Sequence, residues 1–229
     1  MSYLPTLKKI AAVYRARDDF NYGEIHATKI VSCDRTWQTT GVNGGAHTFN
    51  AGSATEPGKL RHTVTAVGDI ILLAQQNWYA TGDNYDVEAG ISISAAPDGT
   101  DDYDFGFGFF EGGTTVGGGN GVYFAIDRTY DTTNILACAV NGGSVTRTST
   151  GVTIASIVGT QKKFRIIKRG TSNAYFYIDD VLVATISANL GGAVSEGRFS
   201  CGLEKIAGSN ARYADVDFIE FEREFATAR

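Results

Sequence analysis

Proline, methionine and histidine are scarce in this chain, and so is any long apolar run. Three prolines and one methionine among 229 residues exclude a proline-rich extended architecture. Nowhere do about 18 apolar residues follow one another, so no helical membrane span is expected. The first residues lack the apolar stretch of a secretory leader, which points to a protein made in a cytoplasm. The three cysteines, Cys33, Cys138 and Cys201, are odd in number and show no C-x-x-C spacing. They exclude a disulfide framework and a zinc ribbon, and read as buried thiols. His26, His47 and His62 are the only histidines. None has a nucleophile beside it and no G-x-S-x-G elbow occurs, so hydrogen-bonded or surface roles are expected. The glycine run VGGGNG at 116–121 lacks the lysine and following helix of a phosphate loop. A basic excess is missing too: the net charge of −5 argues against a nucleic-acid binder.

What is present is glycine, 28 residues of it, and aromatic residues at 11%, with apolar side chains in short alternating runs. Residues 164–186, FRIIKRGTSNAYFYIDDVLVATI, are three apolar runs joined by a polar turn and by Asp179-Asp180. Period-two alternation with tight connections of this kind is a β-meander. Similar runs predict strands at 24–32, 59–67, 69–75, 85–94, 103–110, 121–127, 135–140, 144–148, 162–168, 174–178, 181–187, 198–204 and 214–222. So many short strands need two sheets packed face to face. One domain of about 200–250 residues is a normal size for such a sandwich. In YDFGFGFF, Tyr103, Phe105, Phe107 and Phe109 share one face as expected inter-sheet core, while Asp104, Gly106 and Gly108 leave the other nearly bare.

Charge is unevenly placed. Four of the 20 basic residues and none of the 25 acidic ones fall in residues 1–17, so the rest carries a formal −9. The expected division is a basic N-terminal arm at 1–17, a sandwich at 18–225 and a tail at 226–229. Leu4, Leu7 and Ile10 together with Lys8, Lys9, Arg15 and Arg17 are the expected partner-binding residues, because spaced apolar and basic side chains suit docking on an acidic neighbour.

Four segments carry a family resemblance: DDF at 18–20 with Trp37 downstream, GVYFAID at 121–127, the meander, and VDFIEFER at 216–223. In this order they resemble the concanavalin-A-like lectin/glucanase sandwich, an all-β jelly roll of two antiparallel sheets, in the version found in bacteriophage virion structural proteins. The resemblance implies a virion protein made in the host cytoplasm, either a capsid decoration or cement subunit or a tail module. Its partners would be other virion proteins such as the major capsid protein, and it would form a homo-oligomer such as a trimer. The alternative is a carbohydrate-binding module or receptor-binding adhesin, with a glycan as partner. A carbohydrate-active enzyme is disfavoured. The family's glucanases carry E-x-D-x-x-E on one strand, and the nearest stretch, at 85–90, offers only Asp86 and Glu88. Hence no catalytic residue and no enzymatic activity are expected. Asp86, Glu88 and the aromatics Trp78 and Tyr79 are the candidate ligand-binding residues. No metal site and no cofactor are expected; calcium at the acidic stretches 83–86 and 98–104 is the one ion considered, and solvated strand ends are the simpler reading.

Overall fold

The computed structural model describes residues 13–18, 23–26, 29–32, 36–42, 44–50, 58–75, 79–80, 84–110, 120–191 and 196–224. Within them the strands are β1 (Val13–Asp18), β2 (Gly23–His26), β3 (Lys29–Ser32), β4 (Thr36–Val42), β5 (Ala46–Asn50), β6 (Lys59–Val64), β7 (Ile70–Gln75), β8 (Tyr79–Ala80) and β9 (Asn84–Ile93). The second half adds β10 (Asp102–Phe110), β11 (Gly121–Ile126), β12 (Asn134–Asn141), β13 (Ser144–Thr153), β14 (Lys162–Arg169), β15 (Asn173–Ile178), β16 (Val181–Ile186), β17 (Glu196–Ala207) and β18 (Arg212–Glu224), with a single 3₁₀ turn at Ile154–Ile157. No described helix is long and apolar enough to cross a membrane.

Two antiparallel sheets result. The eight-stranded sheet runs β16-β15-β14-β9-β18-β6-β5 with β1 also on β18, and the ten-stranded sheet runs β13-β12-β11-β10-β17-β7-β4-β3-β2 with β8 also on β17. The meander is β14-β15-β16, joined at its second turn by Asp179 and Asp180 at φ 50° and 65°. Two successive left-handed residues form the hairpin turn whose twist matches that of the flanking strands. Gly142 and Gly143 do the same between β12 and β13 at φ 57° and 81°.

Alternation selects the core. Along β15, Ala174, Phe176 and Ile178 are buried while Asn173, Tyr175 and Tyr177 are partly exposed. Rings from the two sheets interlock: Phe124 lies edge-on to Phe164 and to Phe176, both at 5.1 Å, and Tyr85 stacks on Phe109 at 4.3 Å. Tyr103, Phe105, Phe107 and Phe109 are all buried in this layer, as expected. Burial of each such side chain contributes roughly 1.5–3 kcal/mol. A second apolar cluster, with Leu72, Phe110, Tyr123, Leu136, Cys138 and Val140, is buried on the other face of the ten-stranded sheet.

The two-sheet jelly roll is as the sequence predicts, with differences in detail. Val181, grouped by alternation with the meander core, is 63% exposed beside the turn. The expected strand at 24–32 is two strands, β2 and β3, and β4 and β5 were not foreseen. The C-terminal part of the supposed arm is β1, paired along β18 from Val13 opposite Glu224 to Asp18 opposite Ile219. Arg15 and Arg17 therefore belong to the sandwich. Leu4, Leu7, Lys8, Lys9 and Ile10 lie outside the described residues.

Candidate functional site

Two polar hollows lie on opposite sides of the sandwich. The first is on the outer face of the ten-stranded sheet. Because Tyr103 and Phe105 point into the core, Asp104 between them points out. The register sets Glu204 of β17 directly across from it. Asp127 follows Ile126, which pairs with Phe105, and so flanks Asp104 on the other side. Three carboxylates thus stand in one row across three strands. Burial, followed by the charges of Asp127, Glu204 and Asp102, pushes the Asp104 carboxyl up to about 7. Burial disfavours the charged form of Asp104, and the neighbouring acidic side chains add to that effect.

Asp104, Asp127, Tyr123, Ala125, Cys138 and Arg147 border a hollow of about 30 Å³, room for one water or one hydroxyl group. Beside it Gly106 faces Gly202 across the strands, both buried. The Arg147 guanidinium lies 3.5 Å from the centre of the Tyr130 ring. Carboxyl, carboxylate and guanidinium groups around a pocket of this size can donate to and accept from a single hydroxyl.

The second hollow, about 180 Å³, lies on the outer face of the eight-stranded sheet and is lined by Asp86, Glu88, Arg165, Glu220 and Glu222. Here charges are matched. Arg165 donates from Nε and Nη2 to the two oxygens of Asp86 at 2.8 and 2.6 Å. Lys163 stands 3.8 Å from Glu88. In the register, Arg15 and Arg17 of β1 are opposite Glu222 and Glu220. Directly opposed like charges, Glu220 facing Glu88 and Glu222 facing Asp86, are unfavourable in a sheet unless cations flank them. The sequence thus places a cation on each side.

Asp86 and Glu88 do share a face, as expected, but the structure separates them from the expected aromatic platform. Tyr79 pairs with Gly197 in the ten-stranded sheet, and Trp78 lies outside the described residues. In the acidic stretch at 98–104, Asp98 and Asp101 are tied up by protein groups. Asp98 accepts the Thr100 and Asp101 amides at 2.7 and 2.8 Å. Asp101 accepts the Asn210 amide and buried Lys205, at 2.9 and 3.0 Å, and these bonds pull its carboxyl down to about 2. No group of three or more metal-ligating side chains gathers among the described residues. Sequence reasoning missed Asp127, Glu204, Tyr123 and Arg147 as companions of Asp104. The D-Y-D pattern at 102–104 was the signal available, but the register that brings its companions alongside is not local.

No protein-family model matches the chain, and no curated protein matches it in sequence. Solved structures do match in fold. A protein of unknown function from Shewanella oneidensis superposes with a TM-score of 0.64 at 10% identity, covering 98% of this chain and 92% of its own. A Bacillus licheniformis β-glucanase follows at 0.58 and 14% identity, covering 94% and 98%. The Emp47p carbohydrate recognition domain gives 0.57 at 13%, covering 91% and 94%. At these identities the likeness establishes the fold, a concanavalin-A-like jelly roll. It also overturns the expectation of no enzymatic role. That expectation rested on the poor match at 85–90, whereas a glucanase shares the fold along nearly the whole chain and the carboxyl with perturbed ionisation lies on another strand, β10.

Proposed function

We propose that this protein binds carbohydrate through the outer face of its ten-stranded sheet, at the hollow beside Asp104. The observation that carries the reading is the carboxyl row Asp127, Asp104 and Glu204, set side by side by strand register, with Asp104 and Asp127 bordering a small polar hollow. Burial raises the Asp104 carboxyl, and a carboxyl that keeps its proton can donate as well as accept, which suits the hydroxyl of a sugar. The 30 Å³ hollow admits one such group. The fold supports the same reading, since a carbohydrate recognition domain and a β-glucanase share it. In the larger hollow on the other sheet, Arg165 is paired with Asp86 and Lys163 stands 3.8 Å from Glu88. The virion role implied by the sequence resemblance finds no support in these comparisons.

A second reading, glycoside cleavage at the same place, is favoured by one specific feature. A carboxyl with raised ionisation standing beside a second carboxyl is the kind of pairing that glycosidases use. A glycan array with the purified chain and with Asp104→Asn tests the first reading: the chain should retain a defined set of glycans and the variant should lose at least about tenfold in affinity. Binding unchanged in the variant, or no glycan bound, removes the site. Reducing-end release from β-glucans that disappears in Asp104→Asn would establish the second.

A further inference from the structure

Two histidines meet inside the eight-stranded sheet, remote from the glycan-binding face. His47 of β5 and His62 of β6 are opposite one another in the register. Their Nδ1 atoms are 2.8 Å apart and the rings meet edge to face, centroids 4.7 Å apart. At that distance one Nδ1 carries a hydrogen and the other offers a lone pair. A first added proton can go to the donor ring's Nε2 and leave the contact in place, whereas a second would have to go to the accepting nitrogen. Adding a proton to the accepting nitrogen would set N–H against N–H. Both Nε2 atoms are buried without a hydrogen-bond partner, and His62 has no exposed surface. A proton added at His62 would therefore meet no bonded neighbour, and one at His47 only the Leu72 backbone.

The elements around the pair offer little compensation. β18 sets Ala214 opposite His62, and its Asp215 is held on the other face by Arg61 through bonds of 2.7 and 2.8 Å. β7 has no titratable residue from Ile70 to Gln75; its Leu72 backbone alone favours charge on His47. β17 carries Glu196, Arg198, Glu204 and Lys205, the last bound by Asp101. β2, which packs against β5, carries Glu24 and His26. Lys59 is the other basic residue of β6 besides Arg61. Burial pushes His62 down to about 3, and burial followed by His62 lowers His47 well below the usual imidazole range. Among the described residues β5 is the terminal strand of its sheet, with a ladder to β6 alone. Breaking that ladder would take His47 off His62 and open the β6 edge.

We infer that the His47–His62 pair is an acid-sensitive latch: with both rings neutral it holds β5 on β6, and protonation frees β5 and uncovers the β6 edge. The folded rings resist protonation more than free ones do. The hold is therefore complete above the ordinary imidazole value of 6.5 and weakens as pH falls below it. Each proton taken up on opening raises the opening equilibrium about tenfold per pH unit.

Hydrogen exchange of the full-length protein between pH 7 and 4, corrected for intrinsic rates, reads this directly. The amides of β5 and β6 should show an opening constant that rises about 10- to 100-fold per unit below pH 6.5, while Ile166 and Phe176 in the meander stay protected. In His62→Phe the rise should shrink to at most the share of His47. An equal rise in the variant, or none in the unaltered protein, overturns the proposal. Should the variant fail to fold, ring titration of the unaltered protein by NMR decides. Both rings must remain neutral in the folded state below pH 5.5, and titration of either near 6.5 would refute the latch.

Discussion

At the scale of single residues, side-chain direction decides the cost of a change. Phe176 is fully buried and edge-on to Phe124 at 5.1 Å. Phe176→Ala should destabilise by about 3–5 kcal/mol through lost transfer energy and a cavity. Val181, five residues on but 63% exposed, should tolerate alanine within about 0.5 kcal/mol. Urea unfolding of both variants checks the pair. Asp104 should show its environment in a pH titration of stability. Its carboxyl ionises near 3.8 when unfolded and near 7 when folded, so the unfolded chain gives up the proton first. Stability then falls as pH rises through that window. Asp104→Asn should abolish this fall and gain about 1–2 kcal/mol at pH 8, a figure already reduced for the group's partial exposure to water. Identical pH profiles for the two proteins would contradict the raised carboxyl.

Elements carry the next level of constraint. The β15–β16 turn places Asp180 at φ 65°, where a β-branched residue is strained. Asp180→Val should cost about 1–2 kcal/mol in thermal or chemical unfolding. Asp180→Gly should stay within about 0.5 kcal/mol, because relief of the left-handed backbone offsets the exposed ion pair to Lys163 at 2.6 Å. β1 shows why a basic segment can be misread. VYRARD has too few apolar residues to announce a strand, yet its arginines stand in register with Glu220 and Glu222. A segment that looks like a separate arm in the sequence pairs with a strand some 200 residues away. β4 and β5, TWQTTGV and AHTFN, were missed for a related reason. Their strand character comes from neighbours in the ladder more than from apolar alternation.

For the molecule as a whole, the last strand is central to the fold. β18 lies between β9 and β6 and also receives β1, so one ladder joins the beginning of the described chain to its end. A chain truncated at residue 211 should not form the native sandwich, because the eight-stranded sheet would lack its middle strand. Near-UV circular dichroism and hydrogen exchange would then show a loosely packed species; a native-like spectrum would contradict this topology. Closing contacts over such separations is also slow, so refolding of the complete chain should take milliseconds to seconds or longer.

The sequence by itself determined the class of architecture. Period-two alternation, glycine turns and the aromatic row at 103–109 are local patterns, and a strand's inner and outer faces follow from parity alone. It likewise determined that Asp86 and Glu88 share a face. Tertiary structure alone decided which outward residues meet: Glu204 beside Asp104, Arg165 on Asp86, His47 against His62. Those neighbours come from register between strands 15 to about 100 residues apart in the chain, and register is fixed by the packing of the whole sandwich. The ionisation of Asp104 arises from burial and from those neighbours, so it exists only once the sheets have formed.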